Sequence, residues 1–162
     1  MGTRSGTIDP TVVTYIQRME GLTAEETDKV LNSKSGLLGV SGVSSDGREV
    51  NAAVQAGNDR ARLALDILVY DIKKIIGSYV AAMNGVDVLV FTAGIGENDR
   101  ALRERVCAEM DYLGIAINTD ANANGPRGEE LDITAEGARV RTLVIPTNEE
   151  YMIALDTQRL LK

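Results

Sequence analysis

Histidine is missing from all 162 residues, tryptophan is missing too, and aromatic side chains make up only 4% of the chain. Without an imidazole, this chain by itself supplies neither histidine acid–base chemistry nor a histidine metal ligand. A single cysteine, Cys107, excludes an internal disulfide and makes an intracellular, cytoplasmic setting the default. It sits in RERVCAEM, a helical pattern with no activating base beside it, and reads as a small buried or half-buried side chain. Basic charge is in deficit: a net charge of −7 with both signs interspersed argues against a nucleic-acid partner. No apolar run approaches membrane-spanning length, and the N-terminal MGTRSGTIDP has no apolar signal core, so no membrane partner is expected.

What remains is ordinary for a globular protein: 44% hydrophobic and 25% charged residues, in a length that suits one domain with a real core. Asp9, Pro10 and Gly21 predict a helix over PTVVTYIQRME, with cap, first turn and stop in place. Thr23 and Glu26 form the signature of a capping box for the next helix, with Gly36 closing the segment. Residues 36 to 47, rich in Gly and Ser, read as a loop, followed by a short helix over about 48 to 56. A long helix starting near Asn58 or Asp59 carries Leu65, Leu68, Ile72, Ile75, Tyr79 and Met83 as one apolar stripe, expected to face the core or continue into a subunit interface.

NGVDVLVFT predicts a strand covered on both faces, and NDRALRERVCAEMDYLG a helix capped by Asn98 or Asp99. A brief strand IAIN follows, then a polar loop TDANANGPRGEE with a low-complexity Asn/Ala stretch near 121 to 124. ARVRTLVIPT is a second buried strand and NEEYMIALDTQRLLK a closing helix. Strands alternating with helices call for an α/β fold with parallel pairing.

Open α/β sheets bind ligands beyond the carboxyl ends of their strands. Two junctions qualify here, FTAGIGEN and VIPTNEE, and parallel neighbouring strands would turn both toward one crevice. At the first, Gly94 and Gly96 remove two β-carbons, which suits either a ligand lying on the main chain or a plain turn. A dinucleotide fingerprint is poorly matched, because Asp99 stands where its third glycine belongs. At the second, Thr147 and Glu150 make a capping box, which leaves Glu149 free to hold a magnesium ion through water. Asp46 and Arg48 in SSDGRE are suited to pinning a sugar or base, and Arg4 to a phosphate or carboxylate.

MGTRSGTIDP, KSGLLGVSGVSSDGRE, VLVFTAGIGEN and VIPTNEE, in this order and spacing, together resemble the C-terminal part of acetate kinase. The resemblance covers essentially the whole chain, and propionate kinases share these stretches. It implies part of an actin-like/sugar-kinase (ribonuclease H-like) α/β domain, a mostly parallel sheet flanked by helices, with residues 1–162 as its nucleotide-binding portion. It further implies transfer of a phosphoryl group between ATP and acetate, giving acetyl phosphate and ADP, with Mg2+. Residue by residue, Gly94, Ile95, Gly96 and Asn98 match the adenosine pocket, and Asp46, Gly47 and Arg48 its other side. Glu149 matches the magnesium-associated glutamate, and Arg4 an arginine that binds the substrate carboxylate and steadies the phosphoryl group.

Three positions depart from the family: Gly47 for a bulkier residue, Thr7 for a common Asp, and a longer loop from Asn118 to Glu129. The N-terminal domain and first strands have no counterpart here, so an exposed apolar sheet edge, a missing acetate pocket and an inactive isolated chain are expected. Partners implied are acetate or another short-chain carboxylate, the N-terminal portion of the enzyme, and a second copy in a homodimer. The reading from a different class is a stand-alone nucleotide-binding or dimerisation module without catalysis.

Overall fold

Two helix starts legible in the sequence are realised atom by atom in the computed structural model, which describes residues 2–161. Asp9 accepts the Thr11 N–H at 2.8 Å and caps α1 (Pro10–Glu20), which ends at Gly21 with φ +65°. Thr23 and Glu26 exchange both capping-box hydrogen bonds at the head of α2 (Ala24–Ser33). The expected loop over residues 36 to 47 is partly helical: Gly36–Ser41 forms α3, six residues long. It is too short to show a helical period, and left-handed Gly36 and Gly42 bracket it. Asp46 then caps α4 (Gly47–Gln55), and α5 runs for 25 residues over Asp59–Met83.

The chain divides into two compact units, Met1–Ile72 and Lys73–Lys162. In the first, Leu37, Val50, Ala61, Ala64, Leu65, Leu68 and Val69 make the core. The apolar stripe of α5 is therefore core in its first half only. Ile75 is 47% exposed and Tyr79 and Met83 are each 63% exposed, so the core-facing alternative holds for the first half alone.

The second unit carries a three-stranded sheet in the order β1 (Val88–Phe91), β3 (Arg141–Val144), β2 (Leu131–Asp132). β1 and β3 pair in parallel, but β2 pairs antiparallel with β3, so the small sheet is mixed. The expected strand IAIN contributes only two isolated bridges, Ile115 to Val140 and Ile117 to Thr134. β1 forms one edge, and Val88 and Val90 are each 43% exposed, whereas Phe91 is buried. One face of this strand is thus open rather than covered on both sides as expected.

Beside the second half of α5, the described residues of this unit form α6 (Ala93–Asn98), α7 (Arg100–Cys107), α8 (Thr119–Asn124) and α9 (Glu149–Leu160). Asp99 caps α7 by accepting the Leu102 N–H at 2.9 Å. The helix stops at Cys107 instead of continuing to Leu113, because Glu109 adopts φ +59° and a 3-10 turn follows over Asp111–Leu113. Lys73 donates to the Ala108 carbonyl at 2.5 Å, placing a cation at the negative end of α7. α8 lies in the segment expected to be a polar loop.

Val106, Met110, Ile115, Ile133 and Val140 are at most 1% exposed. Truncating a side chain of that kind costs about 2–5 kcal/mol, a large share of a typical total of about 5–15 kcal/mol. Cys107 belongs to this core at 5% exposure, and burial pushes its thiol up to about 11. At neutral pH it stays a protonated thiol shielded from solvent, so thiol-specific labelling should be slow in native buffer and should track unfolding as denaturant is added. Fast labelling without denaturant would contradict this packing.

Candidate functional site

The register of β1 on β3 decides where the two junctions fall. Phe91 pairs with Val144, so both strands end level and parallel. Their carboxyl ends lead into Thr92–Asn98 and into Ile145–Glu150 on the same side of the sheet. The chain reverses after β1 through Ala93, which adopts φ +57°. An alanine held in the left-handed region is strained by roughly 1–2 kcal/mol, and such strain concentrates at ligand sites.

The glycines that follow have separate jobs, which the sequence did not distinguish. Gly94 is exposed, and a β-carbon on it would meet nothing within 4 Å. It lines a shallow pocket of about 470 Å³ with Thr147, Asn148, Glu149 and Glu150. Gly96 faces the sheet instead, where a β-carbon would come within 3.3 Å of the Phe91 carbonyl carbon. Its role is close packing of α6 on β1 rather than an open floor. Neither glycine adopts a left-handed backbone; Ala93 does. Ile95 is 46% exposed, and Asn98 donates its side-chain amide to the Gly94 carbonyl at 2.9 Å, firming the turn from within.

Glu97 is the residue that sequence reasoning missed. Its carboxylate accepts the Thr147 N–H at 2.8 Å and the Thr147 hydroxyl at 2.9 Å, tying the two junction loops together. Those two hydrogen bonds, the backbone one first, hold its pKa below the ordinary glutamate value. The Thr147 N–H that Glu150 would need is thereby taken, and the expected Thr147–Glu150 capping box does not form. Asn148 caps α9 instead, accepting the Tyr151 N–H at 3.3 Å. Glu149 and Glu150 stand exposed in the first turn of α9, at the rim of the pocket. Among the described residues no cluster of three or more metal-binding side chains exists, so Glu149 would contact a cation as one carboxylate donor. That fits Mg2+, which keeps most of its waters and takes phosphate oxygens as further ligands.

The first unit holds the other candidates. Asp46 accepts the Arg48 N–H at 2.8 Å and forms an ion pair with the Arg48 guanidinium at 2.6 Å. The Arg48 side-chain hydrogen bonds, more than its N–H, hold Asp46 down to about 2. Gly47 between them opens α4, and a β-carbon there would be free of contacts. Arg4 is exposed and lines a cavity of about 400 Å³ with Lys34, Leu37, Val40, Leu68 and Asp71 among its walls.

A sheet whose parallel strands present a strained turn at Ala93 and an acidic helix start at one end defines an α/β protein with a candidate polar site beyond its strand ends. Comparison with known proteins narrows this class. A family model described as the acetokinase family matches residues 1–155. An acetate kinase of Moorella thermoacetica is 58% identical over 162 residues, all of this chain and 40% of that protein. The crystal structure of Porphyromonas gingivalis acetate kinase superposes with a TM-score of 0.92 at 52% identity, over 100% of this chain and 40% of that one. A propionate kinase structure from Francisella tularensis gives a TM-score of 0.86 at 40% identity, over 95% of this chain and 38% of that one. The chain belongs to the acetokinase family. Its fold is the corresponding part of the actin-like α/β fold of these kinases, and it spans about 40% of the length of the curated relatives it matches.

The Glu97–Thr147 tie makes a pH prediction. A carboxylate whose folded pKa is depressed contributes stability that is present above its unfolded value and is lost as pH falls through the folded value. The gap in denaturation midpoint between the wild-type chain and Glu97→Gln should therefore be widest above the ordinary glutamate value of 4.5 and close on acidification. A gap independent of pH would show that the carboxylate is not held by these hydrogen bonds.

Proposed function

We propose that this chain is the nucleotide-binding portion of an acetate kinase, acting in phosphoryl transfer between ATP and the carboxylate of acetate or a short-chain relative. The observation that carries this reading is the level, parallel ending of β1 and β3, with Gly94 and Thr147–Glu150 lining one pocket. In that pocket Gly94 and Ile95 offer an open, partly apolar surface for the nucleoside, Gly96 keeps the turn tight against the sheet, and Asn98 fixes its backbone. Glu149 would hold a magnesium ion accompanying the phosphates, and that ion would supply charge neutralisation of the phosphoryl oxygens. In the first unit, Asp46, Gly47 and Arg48 are proposed nucleotide contacts. Arg4 is proposed to grip the acceptor carboxylate and the group in transit, as a planar, permanently charged fork can. Phosphoryl transfer depends mainly on positioning and charge stabilisation, and each proposed role is one of these.

The chain holds one of the two sides such a reaction needs, so nucleotide binding without turnover is the expected behaviour of the isolated chain. Calorimetric titration with MgADP should give a binding isotherm. Gly94→Val should abolish it while keeping wild-type stability, because that β-carbon enters open space. Gly96→Val should lower stability as well, because its β-carbon presses on Phe91. Sustained acetate-dependent consumption of MgATP by the pure chain would overturn the inactivity, and Gly94→Val binding as well as wild type would overturn the pocket.

A second reading rests on the open half of the α5 stripe. Ile75, Tyr79 and Met83 are exposed, together with Val88 and Val90 of β1. An apolar surface of that kind suits a partner, either a second copy in a homodimer or the N-terminal portion of the enzyme. Sedimentation should show a dimer that Tyr79→Glu dissociates; a monomer at all concentrations would remove the homodimer and leave the N-terminal portion.

A further inference from the structure

Two polar side chains buried beside the glycine turn have no part in the proposed ligand contacts. Arg103 of α7 is 2% exposed and Asn122 of α8 is 1% exposed. Asn122 Oδ1 accepts from Arg103 Nε at 2.8 Å, and Asn122 Nδ2 donates to the Arg100 carbonyl at 2.9 Å. The amide is thus fixed at both ends and aims the guanidinium. Arg103 Nη1 then donates to the Gly96 carbonyl and the Glu97 carbonyl, each at 2.8 Å. Arg100 secures the far side of the arrangement, donating to the carbonyls of Ala123 and Gly125.

Burying a guanidinium is costly unless its donors are satisfied, and an apolar side chain would fill this volume with less penalty. Desolvation accordingly pulls the Arg103 pKa below its ordinary value. What the cation supplies in return is specific. The last carbonyls of a helix lack internal donors and carry its negative dipole end, and α6 ends at Asn98. Arg103 satisfies two carbonyls there, and one belongs to Glu97, whose carboxylate grips Thr147. A chain of contacts therefore runs from Asn122 through Arg103 to the glycine turn, and from Glu97 to the turn that presents Glu149.

We propose that the buried Asn122–Arg103 pair is a positioning brace for the nucleotide floor, setting the Gly96–Glu97 backbone and, through Glu97, the Thr147 turn. The functional half of this proposal rests on the nucleotide reading of the same site. Neither residue touches the ligand; both act through the backbone they hold.

The test has two arms on the chain as it stands. Amide hydrogen exchange without nucleotide follows Asp99, which donates to the Ile95 carbonyl, and Thr147, which donates to Glu97. Asn122→Ala should speed both by roughly tenfold or more, the scale of a lost hydrogen bond to a charged group. The ladder amides of Arg141 and Ile145, which pair β3 with β1, should stay near wild type. Asn122→Asp keeps the acceptor for Arg103 but loses the donor to the Arg100 carbonyl, so exchange at Asp99 and Thr147 should be slowed again only in part. Arg103→Lys, which keeps the charge and loses the fork, is the second variant should Asn122→Ala fail to fold, and should speed the same two amides. In the second arm, MgADP affinity should fall roughly tenfold in Asn122→Ala and recover in part in Asn122→Asp. Unchanged exchange at Asp99 and Thr147, or equal acceleration of the ladder amides, would overturn the brace. A wild-type chain that binds no MgADP would overturn the nucleotide reading and the functional half with it, while the exchange arm still decides whether the pair holds the turn.

Discussion

The parallel pairing of β1 with β3 is the constraint from which the site follows. Four residue pairs, from Val88 with Arg141 to Phe91 with Val144, bring two strands far apart in sequence to a common end. A parallel pair needs a long crossover, and here α6, α7, α8 and β2 lie within it. Because the strands end level, the strained turn at Ala93 and the acidic start of α9 are neighbours. Glu97 then reaches Thr147 directly. A slip of one residue in that register would turn every side chain of β3 to the opposite face and remove Thr147 from Glu97.

The site is held from two directions by different chemistry. From the ligand side, the Glu97 carboxylate joins the two loops through exposed hydrogen bonds. From the protein interior, Arg103 joins α6 to α7 and α8 through bonds to carbonyls and to Asn122. Gly96 lets α6 lie close to β1, and Gly94 leaves the opposite surface open. Order and openness are therefore assigned to neighbouring positions of one motif, and a single bulky side chain has opposite effects at the two glycines.

Sequence reasoning read local features well and shared surfaces poorly. Asp9 caps its helix and Thr23 and Glu26 form their capping box as expected, and Asp99 fills the cap left to Asn98 or Asp99, because a cap is decided by a few adjacent residues. α3 and α8 were missed because six residues are too few to establish a period. Thr147 was assigned to a capping box with Glu150, which its own neighbourhood favours, but a carboxylate fifty residues away takes its N–H. Asn122, read as part of a low-complexity loop, is buried, and only a tertiary partner could reveal that. The α5 stripe shows the same limit: period distinguishes an apolar face but not what covers it. Family likeness rested on four motifs in register and was legible before any coordinates, whereas the distinct roles of Gly94 and Gly96 required them.

The most direct test of the account is a residue-resolved map of amide chemical-shift changes as MgADP is added to the isotopically labelled chain. Changes centred on Ala93–Asn98 and Thr147–Glu149, saturating together, are the result expected of a nucleotide seated where β1 and β3 end. Changes confined to other surfaces, or none at millimolar nucleotide, would contradict the claim that this sheet end is the nucleotide floor.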